Sequence, residues 1–221
     1  MFFAAATVAA VLATAVSAQF PQTGSASVTP HDSYSSSIGA LGCKLDTNRI
    51  AYWPAWPSCN PACIKLTHPE SGRSRTVLHV DTSGGAYDIS YQTWNWLTFG
   101  EDATANPQQG GGVNMNYELV GMDQCADILA PGNGRLALSA ANSMGYFAGC
   151  KSDGGSWAAN NMDLYNILNP VCTWGFDEVC SIDLSTGQNQ ATCPHILGLT
   201  SPLDLPVWNV QYGTGQLVRA L

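Results

Sequence analysis

Two carboxylates stand close together in the chain, on either side of a tight turn. Asp81 ends a β-rich run that starts at Thr76, and Asp88 follows the Gly84-Gly85 turn. Because a Gly-Gly turn can reverse the chain within a few residues, both side chains could face one groove. Two carboxylates in one groove can act as general acid and general base, so this pair is the first candidate for catalysis. The alternative is structural: Asp88 could cap the helix that begins near Ser90, and Asp81 could organise the turn at 83–85.

Aromatic side chains near the pair suit a sugar ligand. Tyr52, Trp53 and Trp56 lie in a Pro-rich segment, and Tyr87 directly precedes Asp88. Flat aromatic rings pack against apolar surfaces and need few polar partners, which fits the faces of sugar rings. We interpret these four aromatic residues as candidate substrate-binding residues, with core packing as the alternative.

Strand and turn signals dominate the region that must position these residues. Residues 76–81 are rich in β-formers, and residues 113–120 alternate apolar and polar side chains, so both segments are predicted strands. Residues 90–97 have the apolar spacing of a helix. Further helices are predicted at 139–147 and 157–168. His79, within the first strand, is interpreted as a structural histidine.

The bulk composition excludes some classes of function. The chain has 221 residues, a formal net charge of -8 and a pI of about 4.6. An acidic chain lacks the basic surface that nucleic-acid binding requires, so we expect no nucleic-acid partner. With 45% hydrophobic and 11% charged residues, the chain is predicted to form a compact globule. We predict no metal site and no cofactor.

The N-terminus has the pattern of a secretory signal peptide. Residues 1–18 are apolar, uncharged and end in small residues, with cleavage predicted after Ala18. A membrane helix is the alternative, but no later segment is long and apolar enough to span a bilayer. We therefore expect a secreted, extracellular, soluble protein. Residues 19–42 are rich in Ser, Thr and Gly and are predicted to form a flexible leader.

The cysteine count fits this export signal. Eight cysteines in an oxidising compartment predict four disulfides, although their pairing cannot be deduced from sequence. A zinc site at Cys59 and Cys63 is the alternative for that spacing. The cysteines are Cys43, Cys59, Cys63, Cys125, Cys150, Cys172, Cys180 and Cys193.

Several motifs in the region 43–125 resemble the double-psi β-barrel superfamily, which includes barwin, the expansins, rare lipoprotein A and small cellulose-cleaving endoglucanases. They are the turn THPESGR at 67–73, the strand VLHVD at 77–81, YDIS at 87–90 and WNWL at 94–97. The strand at 111–120 resembles the last barrel strand of expansins. The resemblance implies a mainly β fold, with a six-stranded double-psi barrel at 43–125. Residues 126–221 then form a disulfide-stapled, partly helical C-terminal extension.

The resemblance also assigns roles to the two carboxylates. Asp88 matches an expansin aspartate that is the general acid in the related endoglucanases, and Asp81 matches the aspartate that ends the preceding strand. Inverting hydrolysis of a glycosidic bond needs a second carboxylate as base. Pro54 stands where the endoglucanases have that base, and proline cannot activate water. Expansins also lack it, and they loosen polysaccharide without cutting it.

Three hypotheses for the function follow. The first is a secreted fungal expansin-like protein that binds or loosens cell-wall polysaccharide without efficient hydrolysis. The second is an effector or interaction protein that recognises a host extracellular protein and uses the barrel as a scaffold. The third is a weak endoglucanase acting on β-glucan with Asp88 as general acid. We expect a monomer with no membrane contact once the signal peptide is removed.

Overall fold

The computed structural model describes residues 20–221, so the predicted signal peptide at 1–18 lies outside the described residues. Within them, six strands form the main sheet: β1 (Thr23–His31), β2 (Ile50–Trp53), β3 (Cys63–Thr67), β4 (Ser74–Thr82), β5 (Tyr87–Ser90) and β6 (Val113–Val120). They close into a barrel in the order β1-β5-β2-β4-β3-β6. This confirms the prediction of a mainly β protein built on a six-stranded barrel.

The pairing of the six strands has an internal symmetry. Strands β1 and β5 are parallel, as are β2 and β4, and the other four neighbouring pairs are antiparallel. Exchanging β1 with β4, β2 with β5 and β3 with β6 converts this set of pairs into itself. The barrel therefore consists of two three-stranded halves, β1–β3 and β4–β6, with equivalent strand pairings.

The first barrel strand lies where a flexible leader was expected, so the prediction for residues 19–42 is wrong. Strand β1 pairs with β6 from Thr23 to Val28 and with β5 from Val28 to His31. Ala26 and Val28 are buried, while Ser25 and Ser27 are exposed. The Ser and Thr residues therefore mark the outer side of a half-buried strand. The barrel begins at Thr23 rather than at Cys43.

Helix α1 (Tyr91–Phe99) packs against the apolar interior of the barrel and confirms the helix predicted at 90–97. Trp94 is fully buried there, and its Nε1 donates a hydrogen bond to the carbonyl of Val28 over 3.1 Å. The interior contains mainly aliphatic and aromatic side chains, including Val28, Trp53, Ile64, Leu66, Val77, Ile89, Trp94 and Met115. The strands predicted at 76–81 and 113–120 are confirmed as β4 and β6.

The C-terminal region (residues 126–221) contains a second, three-stranded sheet of β7 (Leu136–Ser139), β8 (Met162–Ile167) and β9 (Gly175–Cys180). Its helices are α2 (Met144–Asp153) and α3 (Trp157–Asn160). The hairpin of β10 (Trp208–Val210) and β11 (Leu217–Arg219) follows. Short 3-10 helices occur at Gly42–Lys44, Thr47–Arg49, Met122–Cys125, Ala130–Gly132 and Leu184–Thr186.

Both helices predicted in this region are partly wrong. The segment 139–147 begins as the end of β7, and its helix starts only at Met144. The segment 157–168 is helical only to Asn160 and continues as β8. Strand β8 lies between β7 and β9, and four consecutive residues from Leu164 are buried. Because both faces of β8 are covered, its sequence MDLYNI lacks the regular apolar–polar alternation of a half-buried strand, so periodicity does not distinguish it from a helix.

All eight cysteines form disulfides, as predicted. The pairs are Cys43–Cys172, Cys59–Cys150, Cys63–Cys125 and Cys180–Cys193. Cys59 and Cys63 bond to different partners, which excludes the alternative of a zinc site at this pair. Cys43–Cys172 and Cys59–Cys150 link the N-terminal half of the chain to the C-terminal region.

A second apolar cluster lies between the outer side of the barrel and the C-terminal region. Leu78 and Val80 of β4 pack there with Leu138, Leu164 and Ile167 of the smaller sheet. The outer side of β4 is therefore covered rather than open to solvent. Among the described residues, no helix has the length and apolar character needed to cross a bilayer.

Candidate functional site

Asp81 and Asp88 lie in one row across three neighbouring strands. Tyr52 of β2 pairs with Asp81 of β4 on one side and with Asp88 of β5 on the other. Neighbouring strands are about 4.8 Å apart, so the backbones at the two aspartates are separated by roughly 10 Å. The structure thus brings the predicted pair to one side of the sheet, with an aromatic residue between them.

A bulge in β4 places Asp81 on this side. Ala51 pairs with His79 and Tyr52 pairs with Asp81, so Val80 is an extra residue in β4. Side chains alternate along a strand, and a bulge interrupts that alternation. Without the bulge, Asp81 would follow His79 towards the barrel interior. With it, Asp81 lies on the same side as Tyr52.

Asp81 is almost fully engaged with the loop that follows β1. It is 8% exposed and accepts hydrogen bonds from Ser35 Oγ, from the backbone N–H of Ser37 at 2.8 Å and from that of Thr82 at 2.8 Å. A carboxylate with three donors inside the protein has little remaining capacity for a ligand. This arrangement gives Asp81 a structural role, as the anchor of the loop, and does not fit the predicted catalytic one.

Asp88 is half-buried and bonded to the strand that sequence reasoning missed. The hydroxyl of Thr29 in β1 donates to Oδ1 of Asp88, which lies opposite it in β5. His31, two residues further along β1, packs its ring on Tyr52 with centroids 4.5 Å apart. The sequence signal that could have identified β1, and with it Thr29, is the alternation of polar and apolar residues at 25–29.

Strand β1 also borders an open polar groove. The groove has a volume of 430 Å³ and lies between the end of β1 and the loop before β6. Tyr212 crosses it, and its hydroxyl lies 2.7 Å from both the N and the O of Gly110. The lining residues are Thr29, Pro30, His31, Asp32, Gly110, Gly111 and Tyr212. Asp88 contacts this groove only through Thr29.

Three of the four aromatic residues predicted to bind substrate have little solvent-exposed surface. Tyr52 is 4% exposed, and burial, followed by the charge of Asp81, holds the pKa of its hydroxyl far above the usual range. Trp53 is fully buried in the barrel, edge-on to the rings of Tyr87 and Tyr117 at about 5 Å. Tyr87 is half-buried by the same packing. The core-packing alternative is therefore correct for Tyr52 and Trp53.

Trp56 differs from these residues, because 60% of its surface is exposed. It borders a cleft of 440 Å³, which we call the Trp56 cleft. Trp157, from α3, contributes a second, half-buried indole to the same lining. The lining residues are Phe20, Gln22, Ala55, Trp56, Ser58, Asn60, Pro61, Ala62, His79, Leu119, Val120, Gly121, Met122 and Trp157.

The two sides of the Trp56 cleft are fixed to each other. The Cys59–Cys150 disulfide joins the loop that carries Trp56 to α2. Asn60 Oδ1 accepts the backbone N–H of Trp157 at 2.8 Å, and the carbonyl of Cys59 accepts the backbone N–H of Ala158 at 3.0 Å. These links fix the end of the loop that carries Trp56 against the first residues of α3, so the two walls of the cleft are in place without a ligand, which lowers the entropy cost of binding.

Within 20–221, no group of three His, Cys, Asp or Glu side chains is arranged to hold a metal ion. Asp88 remains as a half-buried carboxylate, and its counterpart in the row, Asp81, is occupied by protein donors. The geometry therefore favours binding over acid–base catalysis.

The sequence predicted Trp56 but not the residues that complete its cleft. Trp157 and Phe20 are distant from Trp56 in the chain, and only the disulfide and the barrel closure bring them together. Comparison of the chain with protein-family models, with curated proteins and with solved structures gives no match.

Proposed function

We propose that this protein binds cell-wall polysaccharide through the Trp56 cleft and does not hydrolyse it efficiently. The observation that carries the proposal is the pair of indoles, Trp56 and Trp157, bordering one preformed cleft. Ligand sites typically combine such apolar, aromatic walls with a few polar groups. A sugar chain needs the same combination, because its rings have apolar faces and polar edges.

The topology supports the resemblance to the double-psi β-barrel superfamily. Each of the two parallel pairs, β1–β5 and β2–β4, joins a strand of the first half to a strand of the second half, and this agrees with a barrel of two interlocked psi motifs. We propose that the barrel is of this type. A fold supports many functions, so the assignment adds to the proposal without carrying it.

The state of the two aspartates supports binding without cleavage. Inverting hydrolysis needs an acid and a base whose carboxyl groups are about 6.5–9.5 Å apart with a water between them. Tyr52 stands between Asp81 and Asp88, and Asp81 is held by Ser35, Ser37 and Thr82. No water molecule can take the place of that buried tyrosine while β2 is intact. Weak endoglucanase activity is therefore the less favoured hypothesis.

We further propose that the protein is secreted. Its four disulfides persist most readily in an oxidising compartment. The predicted signal peptide agrees with this location. A cell-wall polysaccharide is a ligand that an extracellular protein can reach.

Affinity measurements with Trp56→Ala test the proposed function. We expect the variant to bind cellulose, chitin or β-glucan roughly two- to tenfold more weakly than the wild type, because the packing of one aromatic ring contributes about 0.5–1.5 kcal/mol. Trp174→Ala is the matched control, since Trp174 is also exposed but lies outside the cleft. If wild type binds none of the three polymers, or if both variants bind equally well, the proposal is wrong.

One observation favours an interaction protein as the second candidate. Of the ten exposed large apolar side chains within residues 20–221, eight lie between residues 174 and 221. Exposed apolar surface can mark a protein-binding site. Replacing Ile196 and Leu199 by Ser would separate the candidates. An interaction protein loses its host response while polysaccharide binding is retained, and unchanged host response contradicts this alternative.

A further inference from the structure

Two cationic side chains, Lys65 and Arg75, have no acceptor within residues 20–221. That part of the chain contains all eight Lys and Arg residues, and the other six donate to a carboxylate or a backbone carbonyl. The six are Lys44, Arg49, Arg73, Arg135, Lys151 and Arg219. Because charged donors bind anionic acceptors strongly, the two unpaired cations are candidates for binding an anion from outside the protein.

Lys65 and Arg75 line the same groove, which we call the basic groove. Its volume is 320 Å³, which lies within the range of pockets that bind small organic ligands. Lys65 belongs to β3 and Arg75 to β4, and Arg49, directly before β2, is the third cation in the lining. The lining residues are Arg49, Lys65, Ser74, Arg75, Thr76 and Gln124.

Both guanidinium groups of the basic groove are held in place by the protein. Arg75 lies over the ring of Trp96, with its central carbon 4.2 Å from the ring centroid. Arg49 Nε donates to the carbonyl of Thr76 at 2.9 Å. Contact with the face of an aromatic ring leaves the N–H groups at the edge of the Arg75 guanidinium open to an acceptor. A group fixed before binding loses less entropy when the ligand arrives.

The lining of the basic groove contains no carboxylate to balance its three positive charges. Asp127 forms an ion pair with Arg49, but it is not part of the lining. Glu118 lies opposite Lys65 in the neighbouring strand β6 and forms no ion pair with it. The groove is therefore a local site of positive charge on a chain whose net charge is -8.

The two guanidinium groups also repel each other. Burial, followed by the positive charge of Arg49, lowers the pKa of Arg75, although Asp102 and Asp46 oppose this effect. An arginine remains charged under all ordinary conditions, so the repulsion persists until an anion enters. A bound anion would lie between like charges and relieve their repulsion.

The other lining residues indicate what carries the anionic group. The guanidinium of Arg75 matches the two oxygens of a carboxylate. Ser74, Thr76 and Gln124 supply hydroxyl and amide groups, which suit the hydroxyl groups of a ligand. No apolar side chain lines the groove, so a ligand with apolar anchors gains little there. A uronic acid, with one carboxylate and several hydroxyl groups on each ring, fits this lining.

We propose that the basic groove binds an acidic sugar chain built of uronic acids. Its carboxylates pair with Lys65 and Arg75, and its hydroxyl groups bind Ser74 and Gln124. The basic groove shares no lining residue with the Trp56 cleft, so the inference goes beyond the proposed function and does not rest on it. The protein then has a second site, for a charged class of polysaccharide.

Calorimetric titration of the wild-type protein with hexagalacturonate tests the proposal. The fully methyl-esterified hexamer keeps the chain and removes its charge, so it should bind at least about tenfold more weakly. Hexaglutamate, an acidic peptide without ring hydroxyl groups, and inorganic phosphate should also bind about tenfold more weakly. In NMR spectra, the Nε–H signal of Arg75 should shift on addition of hexagalacturonate. That of Arg135, outside the groove, should stay unchanged.

Substitutions that remove one positive charge provide the second measurement. Lys65→Gln and Arg75→Gln should each weaken hexagalacturonate binding about tenfold, because each removes a charge-assisted hydrogen bond. Arg219→Gln is the matched control, since it changes the net charge equally at an exposed position outside the groove. This control should bind as the wild type does.

The outcomes separate a specific groove from general charge attraction. The inference is wrong if hexagalacturonate does not bind, if the ester, the peptide or phosphate binds as tightly, or if the Arg75 signal does not move. Equal weakening by Arg219→Gln and Arg75→Gln also overturns it. Trp56→Ala should leave hexagalacturonate binding unchanged. If the neutral polymers fail to bind while Arg75→Gln weakens hexagalacturonate binding, the proposed function is wrong and the inference stands.

Discussion

At the scale of single residues, the two aspartates have different roles despite similar sequence contexts. Asp81 is buried and receives three hydrogen bonds, whereas Asp88 is half-buried and is bonded to Thr29. The sequence identifies both carboxylates but contains no sign of the loop that covers one of them. Burial, which sequence spacing does not reveal, decides between a structural and a ligand-binding carboxylate.

Asp81→Ala is expected to lower the free energy of unfolding by about 2–4 kcal/mol. The substitution removes the carboxylate that accepts from Ser35 Oγ and from the backbone N–H groups of Ser37 and Thr82, and hydrogen bonds to a charged group contribute more than neutral ones. Chemical denaturation measures the change. Asp204→Ala, at an exposed position, is the control and should change stability by less than about 0.5 kcal/mol. Equal effects of both variants would contradict the anchoring role.

His79 should make stability depend on pH in acid. The unfolded chain binds a proton near pH 6.5, whereas the folded protein binds it only near pH 4. Between these values the unfolded state holds more protons, so the free energy of unfolding falls as the pH drops from 6.5 towards 4. The loss amounts to about 3 kcal/mol and levels off below pH 4. The negative charge of Asp81 partly opposes this loss, because it favours the protonated imidazole of His79.

Denaturation curves at pH 7, 5.5 and 4 measure this dependence. His79→Gln removes the titrating group, so its stability should decline less than that of the wild type over the same range. His68→Gln, outside the cleft, should follow the wild type. Parallel curves for wild type and His79→Gln would show that burial does not hold His79 neutral.

At the scale of elements, the strongly patterned segments are the ones that sequence predicts. Strand β6 alternates apolar and polar residues, and α1 repeats aromatic residues at helical spacing, so both were found. Strand β1 was missed because its outward residues are Ser and Thr, which resemble a linker in composition. Strand β8 was assigned to a helix because both of its faces are covered. Both segments form strands because they pair with strands that are distant in the sequence, and local patterns do not reveal such pairing.

The barrel is expected to require β1, so a chain that starts at Cys43 should not fold. Removing β1 leaves β5 and β6 with unpaired edges and takes away the Val28 carbonyl that binds Trp94 Nε1. Circular dichroism and limited proteolysis of chains 43–221 and 20–221 test this requirement. A stable, protease-resistant 43–221 chain would contradict the role of β1.

At the scale of the whole molecule, the Trp56 cleft exists because the barrel and the C-terminal region are held together. Trp56 belongs to the barrel half of the chain and Trp157 to the C-terminal region, and the Cys59–Cys150 disulfide links the two sides. The sequence predicts that four disulfides form, but not their pairing. The cleft therefore could not be predicted, although one of its main residues was.

Loss of the Cys59–Cys150 disulfide should impair both stability and binding. Replacing both cysteines by Ser is expected to cost about 4–5 kcal/mol, because the bond closes a loop with a sequence separation of 91 residues. Polysaccharide affinity should fall as well, since the indoles are no longer fixed. Removal of Cys180–Cys193, whose cysteines do not line the cleft, is the control and should leave affinity unchanged. Equal affinity of both variants would contradict a preformed cleft.

The central claim is that a polysaccharide occupies the Trp56 cleft. NMR spectra of the indole N–H groups of the seven tryptophans, recorded during titration with cellohexaose, test it most directly. The account predicts that the signals of Trp56 and Trp157 shift, while those of Trp174 and Trp208 do not, and that the hexamer is recovered uncleaved. Unchanged signals from Trp56 and Trp157 at saturation, or shifts confined to other tryptophans, would contradict it.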